Sequence, residues 1–219
     1  KDMPLEEVFA HAKSAGFDAI ELNLGPEGAI GPHVSSTAAD LAAVRRLAEE
    51  NGLLLRSLSC GLMWDFPLAA PQPEVRQRGR EIVAKQLETA RELGADTILT
   101  VPGYCLDDDT SYELVERRSR EELERLLPLA EKLGVTIAVE NVWNKFLLSP
   151  TEAAAYVDRF GSERIVVYFD VGNVMLYGHP EQWIQILGKR IRKIHLKDFR
   201  RSVGNSHGFV PLLAGDVKW

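Results

Sequence analysis

The chain has 219 residues, 45% of them hydrophobic and 26% charged, which is enough apolar mass for a sizeable core and argues against a low-complexity or disordered chain. No apolar run approaches the ~20 residues that cross a bilayer as a helix, and no secretory leader precedes the first helical pattern, so neither a membrane partner nor a signal peptide is expected. Lys and Arg total 26 against 32 Asp and Glu, and that net charge of −6 argues against a nucleic-acid partner. Only Cys60 and Cys105 are present, without disulfide-framework or zinc-knuckle spacing, a usage that fits a reducing cytoplasm.

In chain order, Met3 to Ala15 reads as a helix with Leu5, Val8, Phe9 and Ala12 on one face, ended by Gly16. Asp18 to Asn23 reads as a strand with Ile20 and Leu22 facing outward and Glu21 and Asn23 inward. After a Gly- and Pro-rich loop, Ser36 or Thr37 caps a helix to Glu50. Leu53 to Ser59 is the next strand, followed by a long loop through Cys60, Trp64 and Phe66 to Pro73. Those aromatics suit a wall over a substrate and equally suit packing the loop down. A helix from Glu74 to Leu93 and a strand from Asp96 to Val101 follow, and Pro102-Gly103 offers backbone that a ligand could approach closely. Asp107-Asp108-Asp109 reads as a solvated acidic loop, since it lacks the spacing of a calcium loop. Helices over Thr110–Leu133, Pro150–Phe160 and Pro180–Lys189 alternate with the remaining strands.

Those strands carry the chemistry. Val135 to Val139 ends at Glu140, Ile165 to Phe169 ends at Asp170, and Ile191 to Ile194 ends at His195. In each strand, alternation puts the terminal polar residue on the face opposite the bulky apolar ones: Ile137 and Val139, Val167 and Phe169, Ile194 and Leu196. An acidic residue after a strand is commonly just a helix cap, but three in phase converge on one mouth of a parallel barrel. Two carboxylates and an imidazole there suit one divalent cation: Mn²⁺ first, with Mg²⁺, Co²⁺ and Zn²⁺ also compatible.

The strand–helix repeat, without composition break or Gly-rich phosphate fingerprint, predicts one α/β domain over residues 1–219, a (β/α)8 TIM barrel rather than a doubly wound sheet. Six strands are legible, ending at Asn23, Ser59, Val101, Glu140, Asp170 and His195. We therefore expect the barrel to be short of its first strand and of its last strand–helix unit, truncated at both ends.

Five segments, Gly16–Leu22, Val139–Asn141, Phe169–Asn173, His195–Asp198 and Gly215–Val217, resemble the sugar isomerase/epimerase superfamily of xylose isomerase-like TIM barrels. The resemblance implies one metal held by glutamate, aspartate, histidine and a second glutamate, with Glu140, Asp170 and His195 on the first three places. The strand bearing the fourth would lie beyond Trp219, so the second acid/base group is expected outside this chain. It also implies enediolate chemistry on a ketose, with Glu140 both ligand and acid/base group, in a ketose 3-epimerase or aldose–ketose isomerase. Arg201, Asn173, Lys197, Trp64, Cys60 and His207 are candidate substrate contacts, with Arg201 suited to hydroxyls or a phosphate or simply to solvent. A homodimer is expected by resemblance. An inosose dehydratase-type lyase and a sugar-binding barrel without catalysis are the alternatives. An apurinic-site endonuclease is a minor one, since Asn173 and Lys218 stand where that branch has zinc-binding histidines.

Overall fold

The computed structural model describes residues 3–105 and 110–219; the acidic loop expected at Asp107–Asp109 lies outside them. Helix α1 (Leu5–Ser14) buries Phe9 completely, and the chain turns into strand β1 (Ala19–Leu24). Thr37 rather than Ser36 caps α2 (Ala38–Glu50): its hydroxyl accepts from the Asp40 N–H while the Asp40 carboxylate accepts from the Thr37 N–H. Strand β2 (Leu54–Cys60) leads into a short 3₁₀ turn at Gly61–Trp64 and then α3 (Pro73–Leu93), with proline in the first turn where no N–H is missed. Strand β3 (Thr97–Thr100) precedes α4 (Tyr112–Leu133), which runs through Pro128 despite the ladder hydrogen bond that proline forfeits. Gly94 and Gly134 end these two long helices in the left-handed conformation, φ +79° and +69°. Then come β4 (Thr136–Glu140), α5 (Pro150–Asp158), β5 (Ile165–Asp170), a four-residue helix α6 (Val171–Val174), α7 (Pro180–Leu187) and β6 (Ile191–His195).

The six strands form one sheet in chain order, β1 to β6, with every neighbouring pair parallel. This is the TIM-barrel arrangement, strands inside and helices outside. Ile137, Val139, Val167 and Phe169 enter the main core between sheet and helices, as alternation required. Burying each such side chain stabilises the fold by roughly 1.5–3 kcal/mol. Ala138 and Tyr168 turn to the other face with Leu99, Val101 and Val142. Ile194 and Leu196 hold the expected phase but are 50% and 57% exposed, with no helix covering them among the described residues.

Two features were not legible beforehand. A two-stranded antiparallel ribbon, β7 (Asp198–Phe199) with β8 (Phe209–Val210), follows β6. The carboxylate of Asp198, 1% exposed, organises the C-terminal segment by accepting from the N–H groups of Phe199, Gly215 and Val217 and the Trp219 indole. The second is a buried ion cluster on α4, where Glu122 meets Arg76 and Arg80 of α3 and Arg125 of its own helix. Arg76 also donates to the carbonyls of Ala70 and Pro71, at 2.7 and 2.9 Å, clamping the loop that begins at Trp64.

A side chain at Gly103 would lie 2.5 Å from the Ala69 Cβ, so this glycine serves close packing of the same loop.

Candidate metal centre

Strand register brings the three candidate ligands together. Asp170 and His195 are direct partners across β5 and β6, and Glu140 pairs with Tyr168 one strand over. One ligand atom from each of Glu140, Asp170 and His195 can be chosen so that all lie within 4.8 Å of one another. Glu140 and Asp170 are buried and His195 is half-buried.

Asp170 takes both roles open to an acidic residue after a strand. Its Oδ1 accepts from the Asn173 N–H at 2.8 Å and so caps α6, while Oδ2 is sealed from solvent without a hydrogen bond. The Lys197 ammonium lies 2.6 Å from Oδ2 as its counter-ion. Asn141 fixes the aspartate backbone from both sides, accepting from its N–H at 2.8 Å and donating to its carbonyl at 2.9 Å. Asn173 in turn donates to the Asn141 carbonyl, and its own carbonyl accepts from the Trp143 indole. A buried carboxylate oxygen held this rigidly, with a lysine ammonium as its counter-ion, is a position that calls for positive charge. Two carboxylates and an imidazole are a suitable donor set for a divalent metal ion.

Alternation along β1 turns Glu21 inward, and there the structure joins it to His195 and Tyr168. Its Oε1 lies 3.1 Å from His195 Nε2, and its Oε2 accepts from the Tyr168 hydroxyl at 2.8 Å. His195 Nδ1 faces the other way, 3.0 Å from Glu140 Oε1 and 3.9 Å from Asp170 Oδ2. The signal for Glu21 was its phase alone.

These contacts set the ionisation of the site. Burial would lower the His195 imidazole, but hydrogen bonds to Glu140 and Glu21 push it up to about 9. Glu140 stands above the usual carboxylate range because burial, helped by the neighbouring Asp170 charge, outweighs His195 and Lys197. Burial would raise Glu21 as well, yet hydrogen bonds from His195, Ser57 and Tyr168 hold it below that range.

A pocket of about 350 Å³ opens over the site. It is lined by Glu140 and His195 and, among the candidate substrate contacts, by Cys60, Trp64 and Lys197. Trp64 is 42% exposed at this pocket and stacks on Tyr104 at 6.0 Å, whereas Phe66 packs against the core. Burial pushes the Cys60 thiol up to about 11, so it stays neutral. The remaining candidates are not brought to this pocket. Asn173 lies in the network beneath Asp170, Arg201 donates to the Gly178 carbonyl at 3.1 Å, and His207 is exposed in the connection between β7 and β8. A larger cleft of about 700 Å³ lies at the opposite ends of β4 and β5, around Thr136 and Ile165, away from the trio.

A family model described as a xylose isomerase-like TIM barrel matches residues 9–219. SgbU of Escherichia coli strain K12, named provisionally as an L-ribulose-5-phosphate 3-epimerase, is 30% identical over 209 residues, covering 95% of this chain and 73% of the relative. UlaE of Escherichia coli O1:K1 / APEC, an L-ribulose-5-phosphate 3-epimerase, is 24% identical over 193 residues, covering 88% and 68%. Among solved structures, L-ribulose 3-epimerase matches with a TM-score of 0.79 at 23% identity, over 98% of this chain and 68% of the other. A D-tagatose 3-epimerase-like protein gives 0.79 at 19% identity, over 93% and 74%.

Proposed function

Because this chain belongs to the xylose isomerase-like TIM barrel family, we propose that it is a metal-dependent 3-epimerase of small ketoses or ketose phosphates. The observation that carries the reading is the convergence of Glu140, Asp170 and His195 at the strand ends, beneath a pocket of about 350 Å³. That size lies in the range of small-molecule sites. The names of the relatives, epimerases of L-ribulose 5-phosphate, L-ribulose and related ketoses, support the reaction class.

Glu140, Asp170 and His195 would hold the cation, and their two carboxylates and one imidazole are compatible with Mn²⁺, Mg²⁺, Co²⁺ or Zn²⁺. When bound, the cation supplies polarisation of the ketose carbonyl and its neighbouring hydroxyl. Glu140 is the group that takes or returns the proton beside that carbonyl. Trp64 offers its exposed ring to the carbon face of the sugar, and Lys197 lines the same pocket with its ammonium on Asp170 Oδ2. Tyr168 and Asn141 contribute by fixing Glu21 and Asp170.

The test is proton exchange at C3 in D₂O, followed by NMR, with L-ribulose 5-phosphate and unphosphorylated ketoses after Mn²⁺ addition. Exchange should appear for at least one of them and fall by ~10²–10⁴-fold in Glu140→Gln. Exchange that survives in that variant would remove Glu140 from the reaction, and absence of exchange with every ketose in protein that carries the second glutamate would sink the epimerase reading.

A further inference from the structure

We infer that Glu21 is a positioning residue for the metal centre: it binds His195 through Nε2 and thereby turns Nδ1 toward the cation held with Glu140 and Asp170. This rests on the metal-site reading above. A neutral imidazole has one N–H donor and one lone-pair acceptor, so whatever claims the N–H decides which nitrogen can ligate. Glu21 Oε1, 3.1 Å from Nε2, is placed to keep a hydrogen there once the ring gives up its other proton, which leaves the lone pair on Nδ1. That atom faces the two other ligands, 3.0 Å from Glu140 Oε1 and 3.9 Å from Asp170 Oδ2.

Glu21 is itself held. Its other oxygen accepts from the Tyr168 hydroxyl at 2.8 Å, and that hydroxyl lies 3.4 Å from Ser57 Oγ. The Tyr168 ring also packs against the imidazole, with centroids 4.5 Å apart and planes inclined by 46°. The histidine ring is therefore fixed by a hydrogen bond on one edge and by an aromatic face. The carboxylate comes from β1 and the histidine from β6, the two outer strands of the sheet, so their contact ties its ends together across the pocket mouth. Both Glu21 oxygens are engaged by other side chains, one by the His195 ring and one by the Tyr168 hydroxyl. Carboxylates placed behind a ligating histidine in this way orient the ring and raise its basicity, and their loss typically costs 10–100-fold in metal affinity.

The experiment titrates Mn²⁺, and separately Co²⁺, into the full chain by calorimetry and visible absorption. The proteins are wild type, Glu21→Ala, Glu21→Gln and Asp170→Ala. Glu21→Ala should bind ~10–100-fold more weakly with an altered Co²⁺ absorption band, because the ring is freed. Glu21→Gln keeps an acceptor but not the charge, and should fall between Glu21→Ala and wild type. If Glu21→Ala does not fold, Glu21→Gln decides alone: affinity and Co²⁺ band equal to wild type would overturn the inference. Wild-type affinity in both Glu21 variants, with binding lost in Asp170→Ala, would refute the positioning role and leave the metal site standing. No binding by wild type would remove the metal reading and this inference with it.

Discussion

At His195 the same ring must serve two charge states. In the metal-free protein it stands at about 9, held there by two carboxylates against burial, so it is an imidazolium at neutral pH. A cation can bind only after that proton leaves. Mn²⁺ affinity should therefore rise with pH up to about 9 and then level off. Near pH 7 about one proton should be released per cation bound, read by calorimetry in buffers of different ionisation enthalpy. Release of no proton would mean that His195 is not a ligand. Stability of the metal-free form runs in the opposite direction. The folded pKa lies above the unfolded value of ~6.5, so the imidazolium contribution is fully present below that pH and is lost as pH rises through about 9. The trio itself was legible because alternation fixes which side chains of a strand share a face. Glu21 was harder to assign: its phase was visible, but its partner His195 lies 174 residues away in sequence, a distance no local pattern spans.

Elements long enough to show a period were read to within a few residues, and those that failed are short. Helix α6 has four residues and β7 and β8 two each, too few for any hydrophobic repeat. They are specified instead by single polar groups, Asp170 as a cap and Asp198 as a collector of N–H groups. Close contacts explain motif glycines in the same region. A Cβ at Gly172 would meet the Lys197 Cβ at 2.6 Å and its carbonyl oxygen at 2.9 Å, so α6 can lie against the segment after β6 only if this residue is glycine. Gly172→Ala should destabilise the protein by roughly 1–3 kcal/mol in urea titration, as overpacking does. It should also weaken Mn²⁺ binding, since both Asp170 and Lys197 would move. Unchanged affinity and stability would show that the contact relaxes without disturbing the site.

Across the whole molecule, the parallel order of six strands was predictable from the regular alternation of strand and helix, and the family match over residues 9–219 agrees with it. The ion cluster at Glu122 was not, because a buried charge paired across helices leaves no periodic trace. The sheet's β4, β5 and β6 meet at Glu140, Asp170 and His195, so a cation held there would cross-link three strands of the fold and couple occupancy to global stability. A ligand that binds only the folded state, at about 100 times its Kd, adds about 2.7 kcal/mol. Mn²⁺ at that excess should raise the urea-unfolding free energy of the wild type by about this amount without changing the denaturant slope. Asp170→Asn keeps a capping oxygen for the Asn173 N–H but removes the charge at Oδ2. It should therefore fold and gain little from the metal. An equal gain in this variant would place the stabilising cation elsewhere on the molecule. No gain in either protein, with binding to the folded state shown independently, would mean that the unfolded chain binds the cation equally well.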